Sequence, residues 1–117
     1  MTYKDIMDMV VESGIPYAYD HFAENDAPNP PYIVFMLPGR DDFLADDSHY
    51  IKVTTLTFEL YTEYKDPELE NRIDSVLESH GVIYYKSEVW IDSEKLYEVR
   101  YEMEVIYNVG SESHQQD

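Results

Sequence analysis

At 117 residues with 44% hydrophobic side chains, the chain has the length of one domain and enough apolar surface for a single two-layer core. Its 25 Asp and Glu residues against 8 Lys and Arg give a net charge of -17, which disfavours binding to a nucleic-acid backbone by charge neutralisation. The lack of cysteine excludes disulfides, thiolate metal sites and cysteine nucleophiles.

The N-terminal residues predict a short helix over residues 3–13. Thr2 is a suitable N-cap before it, and Gly14 is a stop signal after it. The segment lacks the basic region and continuous apolar run of a secretory signal, and no segment of the chain has the length of a membrane span. We therefore expect a soluble protein made inside the cell.

Three strands are predicted next, over residues 17–22, 31–37 and 49–62. The third shows a long alternation that places one set of apolar residues on a single face: Leu56, Phe58 and Leu60. Between the last two strands, residues 40–48 predict an acidic loop with two apolar residues at its centre. Such a loop either folds its apolar centre back onto its own domain or inserts it into a neighbouring subunit.

The second predicted helix begins at Asp66 and Pro67, an N-cap followed by a proline at the first helical position. It ends before Gly81, and one stripe of its residues is predicted to be buried: Leu69, Ile73, Val76 and Leu77. Residues 82–91 and 96–107 then predict a hairpin, and residues 109–117 a flexible tail. The expected fold is α+β, a single domain over residues 1–108 with a mostly antiparallel sheet, two helices and the order α-β-β-β-α-β-β.

No catalytic or nucleotide-binding motif is present. The serines form no nucleophile elbow, the 4 glycines form no phosphate loop, and the 4 histidines fall at element ends or in the tail. The aspartates of the acidic loop are possible ligands for a hard cation, but their spacing is not that of an EF-hand. The 12 tyrosines lie among glutamates, which favours core and interface roles over stacking on bases.

Four stretches resemble the small tail-terminator, or tail-completion, proteins of long-tailed bacteriophages and prophages. They are PPYIV (30–34), DDFLADD (41–47), FELYTEYKDPELE (58–70) and YEVRYEMEV (97–105), and the similarity spans about residues 15–105. This resemblance implies a ring, expected to be a hexamer, that caps the head-proximal end of the tail tube, stops its polymerisation and joins the tail to the head connector. It implies no enzyme activity and no cofactor.

The resemblance also implies partners and a location. The partners are further copies of the chain, the tail tube protein and the head–tail connector protein, while DNA passes through without specific binding and no membrane is involved. Assembly takes place in the host cytoplasm, and the protein ends in the virion neck. Since such proteins close their rings with long loops and sheet edges, the candidate assembly residues are Asp41, Asp42, Phe43, Leu44, Asp46, Asp47, Tyr50, Lys52 and Thr54.

Two other classes of function remain open at this point. An acidic monomeric or dimeric module that mimics the charge of DNA would share the composition, but it needs carboxylates at phosphate-like spacing on one face. A small hydrolase using paired acids needs a cleft and carboxyl groups with separated pKa values. A tightly bound basic partner would favour the first, and turnover of a substrate would favour the second.

Overall fold

The computed structural model describes residues 1–40, 43–46, 49–51 and 53–107, with the backbone alone between 39 and 51. Within these residues the elements in chain order are α1 (Tyr3–Glu12), β1 (Tyr17–Tyr19), β2 (Tyr32–Arg40), β3 (Phe43–Asp46), β4 (His49–Ile51), β5 (Val53–Thr62), α2 (Pro67–Ser79), β6 (Tyr84–Ile91) and β7 (Leu96–Ile106). The predicted tail at 109–117 lies outside the described residues.

The main sheet has five strands in the order β1-β2-β5-β7-β6. The β1–β2 pair is parallel and the other three pairs are antiparallel. Together with the two helices, these strands follow the predicted order α-β-β-β-α-β-β, and β3 and β4 form an additional two-stranded sheet. The predicted α+β class with a mostly antiparallel sheet is confirmed.

Both helices begin at the predicted caps. The Thr2 hydroxyl accepts a hydrogen bond from the Asp5 amide at 3.2 Å, and the Asp5 carboxylate accepts one from the Thr2 amide at 2.8 Å. These bonds form a capping box, which satisfies two amides that the helix itself leaves free. The Asp66 carboxylate accepts a hydrogen bond from the Leu69 amide at 3.2 Å, and the second helix ends where Gly81 takes a φ of 73°.

The hydrophobic core lies between the two helices and one face of the sheet. That face presents Leu56, Phe58 and Leu60, all fully buried, as the alternation predicted. Neighbouring strands and the helices complete the core with Ile6, Met9, Val10, Ile33, Phe35, Ile73, Leu77, Val99, Tyr101 and Met103. Because every second residue of the strands points to this face, the intervening residues lie on the opposite one.

The structure differs from the predicted boundaries at several places: β2 extends to Arg40 instead of ending at residue 37, β6 begins at Tyr84 instead of residue 82, and two further differences are larger. The segment expected to be an acidic loop contains β3. The strand predicted over residues 49–62 is divided into β4 and β5, which belong to different sheets. Leu44 pairs with Tyr50 in this hairpin, and such residues favour strands even when acidic residues surround them. The first strand ends early, at Tyr19, because Asp20 takes a φ of 66°, which interrupts an extended chain.

Candidate assembly site

The predicted assembly residues lie along the β3–β4 hairpin and at the start of β5. Phe43, Leu44 and Asp46 belong to β3, Tyr50 to β4 and Thr54 to β5. The backbone register brings Leu44 opposite Tyr50 and Asp46 opposite His49. Asp41, Asp42, Asp47 and Lys52 lie outside the described residues.

The hairpin continues from the paired ends of two central strands. Arg40, the last residue of β2, is opposite Thr54 of β5, and the chain between them forms β3 and β4. These two strands pair with each other and not with the five-stranded sheet. By its backbone pairing, the hairpin is a separate two-stranded sheet that follows the end of the main sheet.

Thr54 lies beneath the surface at the base of this hairpin. Its side chain is 3% exposed, and its hydroxyl has no hydrogen-bond partner among the described residues. The Thr57 hydroxyl is in the same situation, at 0% exposure. A buried polar group without a partner typically costs about 1–3 kcal/mol. The role of Thr54 in assembly stays a prediction.

The opposite face of the main sheet, which we call the open face, carries no helix in the described part of the chain. Alternate residues of four strands form it, among them Tyr32, Val34 and Met36 of β2; Thr55, Thr57, Glu59 and Tyr61 of β5; Glu98, Arg100, Glu102 and Glu104 of β7; and Tyr85, Ser87 and Val89 of β6. Several of these side chains are charged, so the face is suited to polar contacts with a partner.

Glu59 is the most buried carboxylate of the open face, with 9% of its surface exposed. It accepts hydrogen bonds from the Tyr61 hydroxyl at 3.0 Å and from Arg100 Nη1 at 3.0 Å. Glu98 Oε1 lies 3.1 Å from the same Tyr61 hydroxyl. Burial and then the charge of Glu98 raise the pKa of Glu59, against the opposing effects of the Tyr61 hydrogen bond and Arg100.

A Tyr61 hydroxyl has one hydrogen and donates it to one carboxylate at a time. Burial, followed by the charges of Glu59 and Glu98, raises the pKa of Tyr61, so the phenol keeps this hydrogen at neutral pH. The guanidinium group of Arg100 is bonded to Glu59 and also contacts Glu102, whose Oε1 lies 3.5 Å from Arg100 Nε. The cluster therefore has negative charge in excess.

A cleft of about 460 Å³ opens beside Tyr61, between the loop after β1, the open face and the turn from β6 to β7. We call it the aromatic cleft. Its walls include Phe22 and Tyr32, and carboxylates come from Asp20 and Glu94. Burial and then the charge of Glu94 raise the pKa of Tyr32.

A second charged group lies on the helix side of the sheet, around Glu70, which is 4% exposed. Lys65 Nζ is 2.7 Å from its Oε2, and Lys86 Nζ is 3.1 Å from its Oε1. Burial by itself raises the pKa of Glu70, but hydrogen bonds from the two lysines outweigh it and hold this pKa below its ordinary range. These bonds join α2 to β6 and to the loop before α2, which is a structural role.

Strand β6 forms the longer outer edge of the main sheet, since the opposite edge is the three-residue β1. Large apolar side chains are exposed on or beside it: Ile83, Tyr85, Val89 and Trp90. An outer strand leaves one row of backbone N–H and C=O groups unpaired, which favours contact with another chain. This edge and the β3–β4 hairpin belong to different sheets.

Sequence reasoning missed the grouping of Glu59, Tyr61, Glu98 and Arg100. The alternation indicated that Glu59 and Tyr61 share a face of β5, and that Glu98 and Arg100 share a face of β7. Only the cross-strand register, which sets Glu59 opposite Arg100 and Tyr61 opposite Glu98, brings the two pairs together.

The described residues contain no group of three or more His, Cys, Asp or Glu side chains arranged to hold a metal ion. Among the same residues no helix has both the length and the apolar character needed to cross a membrane. Three of the loop aspartates considered as cation ligands, Asp41, Asp42 and Asp47, are not among them.

No protein-family model and no curated protein matches this chain. Its fold is similar to that of a chain in the virion of a native gene transfer agent particle, with a TM-score of 0.55. The similarity covers 87% of this chain and 87% of that chain, and 10% of the residues are identical. At this level of identity the likeness concerns the fold alone.

Proposed function

We propose that this chain is a structural virion protein that forms a ring, a hexamer, at the head-proximal end of a phage tail. In this role it caps the finished tail tube, stops its polymerisation and joins it to the head connector. Its partners are further copies of itself, the tail tube protein and the connector protein. It assembles in the host cytoplasm and ends in the virion neck.

The observation that carries the proposal is the similarity in fold to a chain of a gene transfer agent virion, over 87% of both chains. It supports a structural role in a virion. The finer role, as terminator of a tail, is supported by the four sequence stretches that resemble tail-terminator proteins. Three of them form parts of the main sheet, in β2, β5 and β7, and the fourth includes β3.

A closed ring with cyclic symmetry repeats one contact between two different surfaces of the subunit. The β3–β4 hairpin and the β6 edge supply two such surfaces. They belong to different sheets. The hairpin of one subunit can therefore contact its neighbour without competing for its own β6 edge.

The net charge of -17 is compatible with a ring through which DNA passes. Carboxylates facing the lumen repel phosphates and leave the DNA free to slide. The same charge opposes the approach of subunits, so ring formation should strengthen as salt screens the repulsion. This account needs no catalysis.

The first experiment removes the apolar side chains of the hairpin. The double variant Phe43→Ala, Leu44→Ala should impair ring formation and tail joining while far-ultraviolet circular dichroism and thermal unfolding stay close to wild type. Tail joining is measured by electron microscopy of particles assembled with purified tails and heads.

The second experiment reverses charge in the hairpin with Asp46→Lys, Asp47→Lys. A matched control, Glu24→Lys, Asp26→Lys, makes the same change in charge in the loop after β1. The hairpin variant should impair joining and the control should not. Normal tail joining by both hairpin variants would show that this hairpin is not part of the assembly surface. Equal losses of joining in the charge-reversed hairpin variant and in the control would show that net charge alone causes the effect.

A further inference from the structure

The aromatic cleft has the composition of a binding site for an organic cation. The rings of Tyr32 and Tyr61 lie 5.3 Å apart between centroids, and the rings of Phe22 and Tyr32 lie 5.2 Å apart at an interplanar angle of 81°. Val34 of the open face also lines the cleft. Aromatic faces attract cations through their quadrupole, and the attraction grows where water is excluded.

Carboxylates surround these rings. Asp20 and Glu94 line the cleft, and Glu59 and Glu98 both lie within hydrogen-bond distance of the Tyr61 hydroxyl. No lysine or arginine is among the described residues lining the cleft. His21, which also lines it, is bonded through Nδ1 to Asp20 Oδ2 at 2.8 Å, and the nearby Lys95 is bonded to Asp92 at 2.8 Å. Asp20 is thus already paired, whereas the carboxylate of Glu94 has no such pairing among the described residues and is left for a partner to neutralise.

We propose that this cleft binds an arginine side chain presented by a different, basic protein. A guanidinium group is planar and weakly hydrated, so it stacks on aromatic rings and donates to carboxylates at the same time. A small hydrated metal ion would gain nothing from the aromatic walls. The inference concerns the open face and stands apart from the ring proposed above, which uses the hairpin and the β6 edge.

Charge favours a different protein over a second copy. Two chains of net charge -17 repel each other. Most described basic side chains of this chain are also already paired with carboxylates, as Lys4 is with Asp8 and Arg100 with Glu59. A partner with excess Lys and Arg would not be repelled by the negative charge, and it would have basic side chains that are not already paired with carboxylates.

The test is a titration of the full-length, isotopically labelled protein with the blocked peptide acetyl-Gly-Arg-Gly-amide, followed by two-dimensional amide NMR. The matched probe contains citrulline, which has nearly the same shape without the charge. The arginine peptide should shift the amide signals of Phe22, Tyr61 and Glu94 and bind at least about fivefold more tightly than the citrulline peptide. Raising the salt concentration should weaken the binding.

Two variants distinguish binding at the cleft from attraction to the overall negative charge of the protein. Glu94→Gln should weaken the arginine peptide by about two- to fivefold. Glu104→Gln makes the same change in charge on the open face but outside the cleft, and should have a smaller effect. The proposal is overturned by equal binding of the two peptides, by equal effects of the two variants, or by the absence of shifts at the cleft. Cleft signals that move with protein concentration alone would identify a second copy as the occupant and overturn it as well.

Discussion

Replacing Glu70 by glutamine should lower the free energy of unfolding by about 2 kcal/mol at pH 7. The Glu70 side chain is 6% exposed and accepts from two ammonium groups, at 2.7 Å from Lys65 and 3.1 Å from Lys86. A hydrogen bond to a charged group contributes about 1.5–3 kcal/mol. The lysine side chains are 48% and 32% exposed, so solvent screens both pairs and reduces their joint contribution below the sum, to about 2 kcal/mol.

The effect should depend on pH with a definite sign. The pKa of Glu70 is held below its ordinary range in the folded protein, so its contribution is complete above the pKa of the unfolded chain and is lost as pH falls through the lower, folded value. The difference in the free energy of unfolding between wild type and Glu70→Gln should therefore have its full value at pH 7 and become smaller below about pH 4.

The assay is urea unfolding followed by the fluorescence of Trp90, the single tryptophan. The control is Glu88→Gln, which removes the other carboxylate bound to Lys65 but has a side chain that is 38% exposed. It should cost less than about 1 kcal/mol. Equal losses in the two variants, or a Glu70→Gln effect that does not change with pH, would refute the reasoning.

Three other variants test the remaining structure by the same unfolding assay. Tyr101→Phe removes a hydroxyl that donates to the Glu70 carbonyl at 3.3 Å and should cost about 1 kcal/mol, while an unchanged stability would mean that this bond contributes nothing. Phe58→Ala opens a cavity in the fully buried core and should cost about 3–5 kcal/mol, so a loss under 1 kcal/mol would contradict its placement. Glu59 has a raised pKa, so its stabilising effect is greatest below the pKa of the unfolded chain and declines as pH rises through the folded value. The free energy of unfolding of Glu59→Gln should therefore rise relative to that of wild type as the pH is raised from about 4 to about 7. A difference between the two proteins that does not change with pH would contradict the raised pKa of Glu59.

The elements that sequence predicted well are those with local signals. Asp66 and Pro67 mark the start of α2 through capping and backbone geometry, and Gly81 marks its end, so neighbouring residues alone define the helix. The buried face of β5 could be predicted because strand side chains alternate and the apolar ones recur at every second position.

The features that sequence did not predict depend on contacts between distant residues. The β3–β4 hairpin arises because Leu44 and Tyr50 pair, although the aspartates around them indicate a loop. The Tyr61–Glu98 contact joins residues 37 positions apart. Such a contact requires the register of β5 against β7, and alternation reports which face a residue occupies but not which residue lies opposite it.

The most direct test of the proposed function is electron microscopy of the purified protein mixed with tail tubes, with its mass measured by light scattering over a range of salt concentrations. The account predicts closed rings, favoured by salt, and density that caps one end of each tube. A chain that stays monomeric at every salt concentration and leaves both tube ends bare would contradict it.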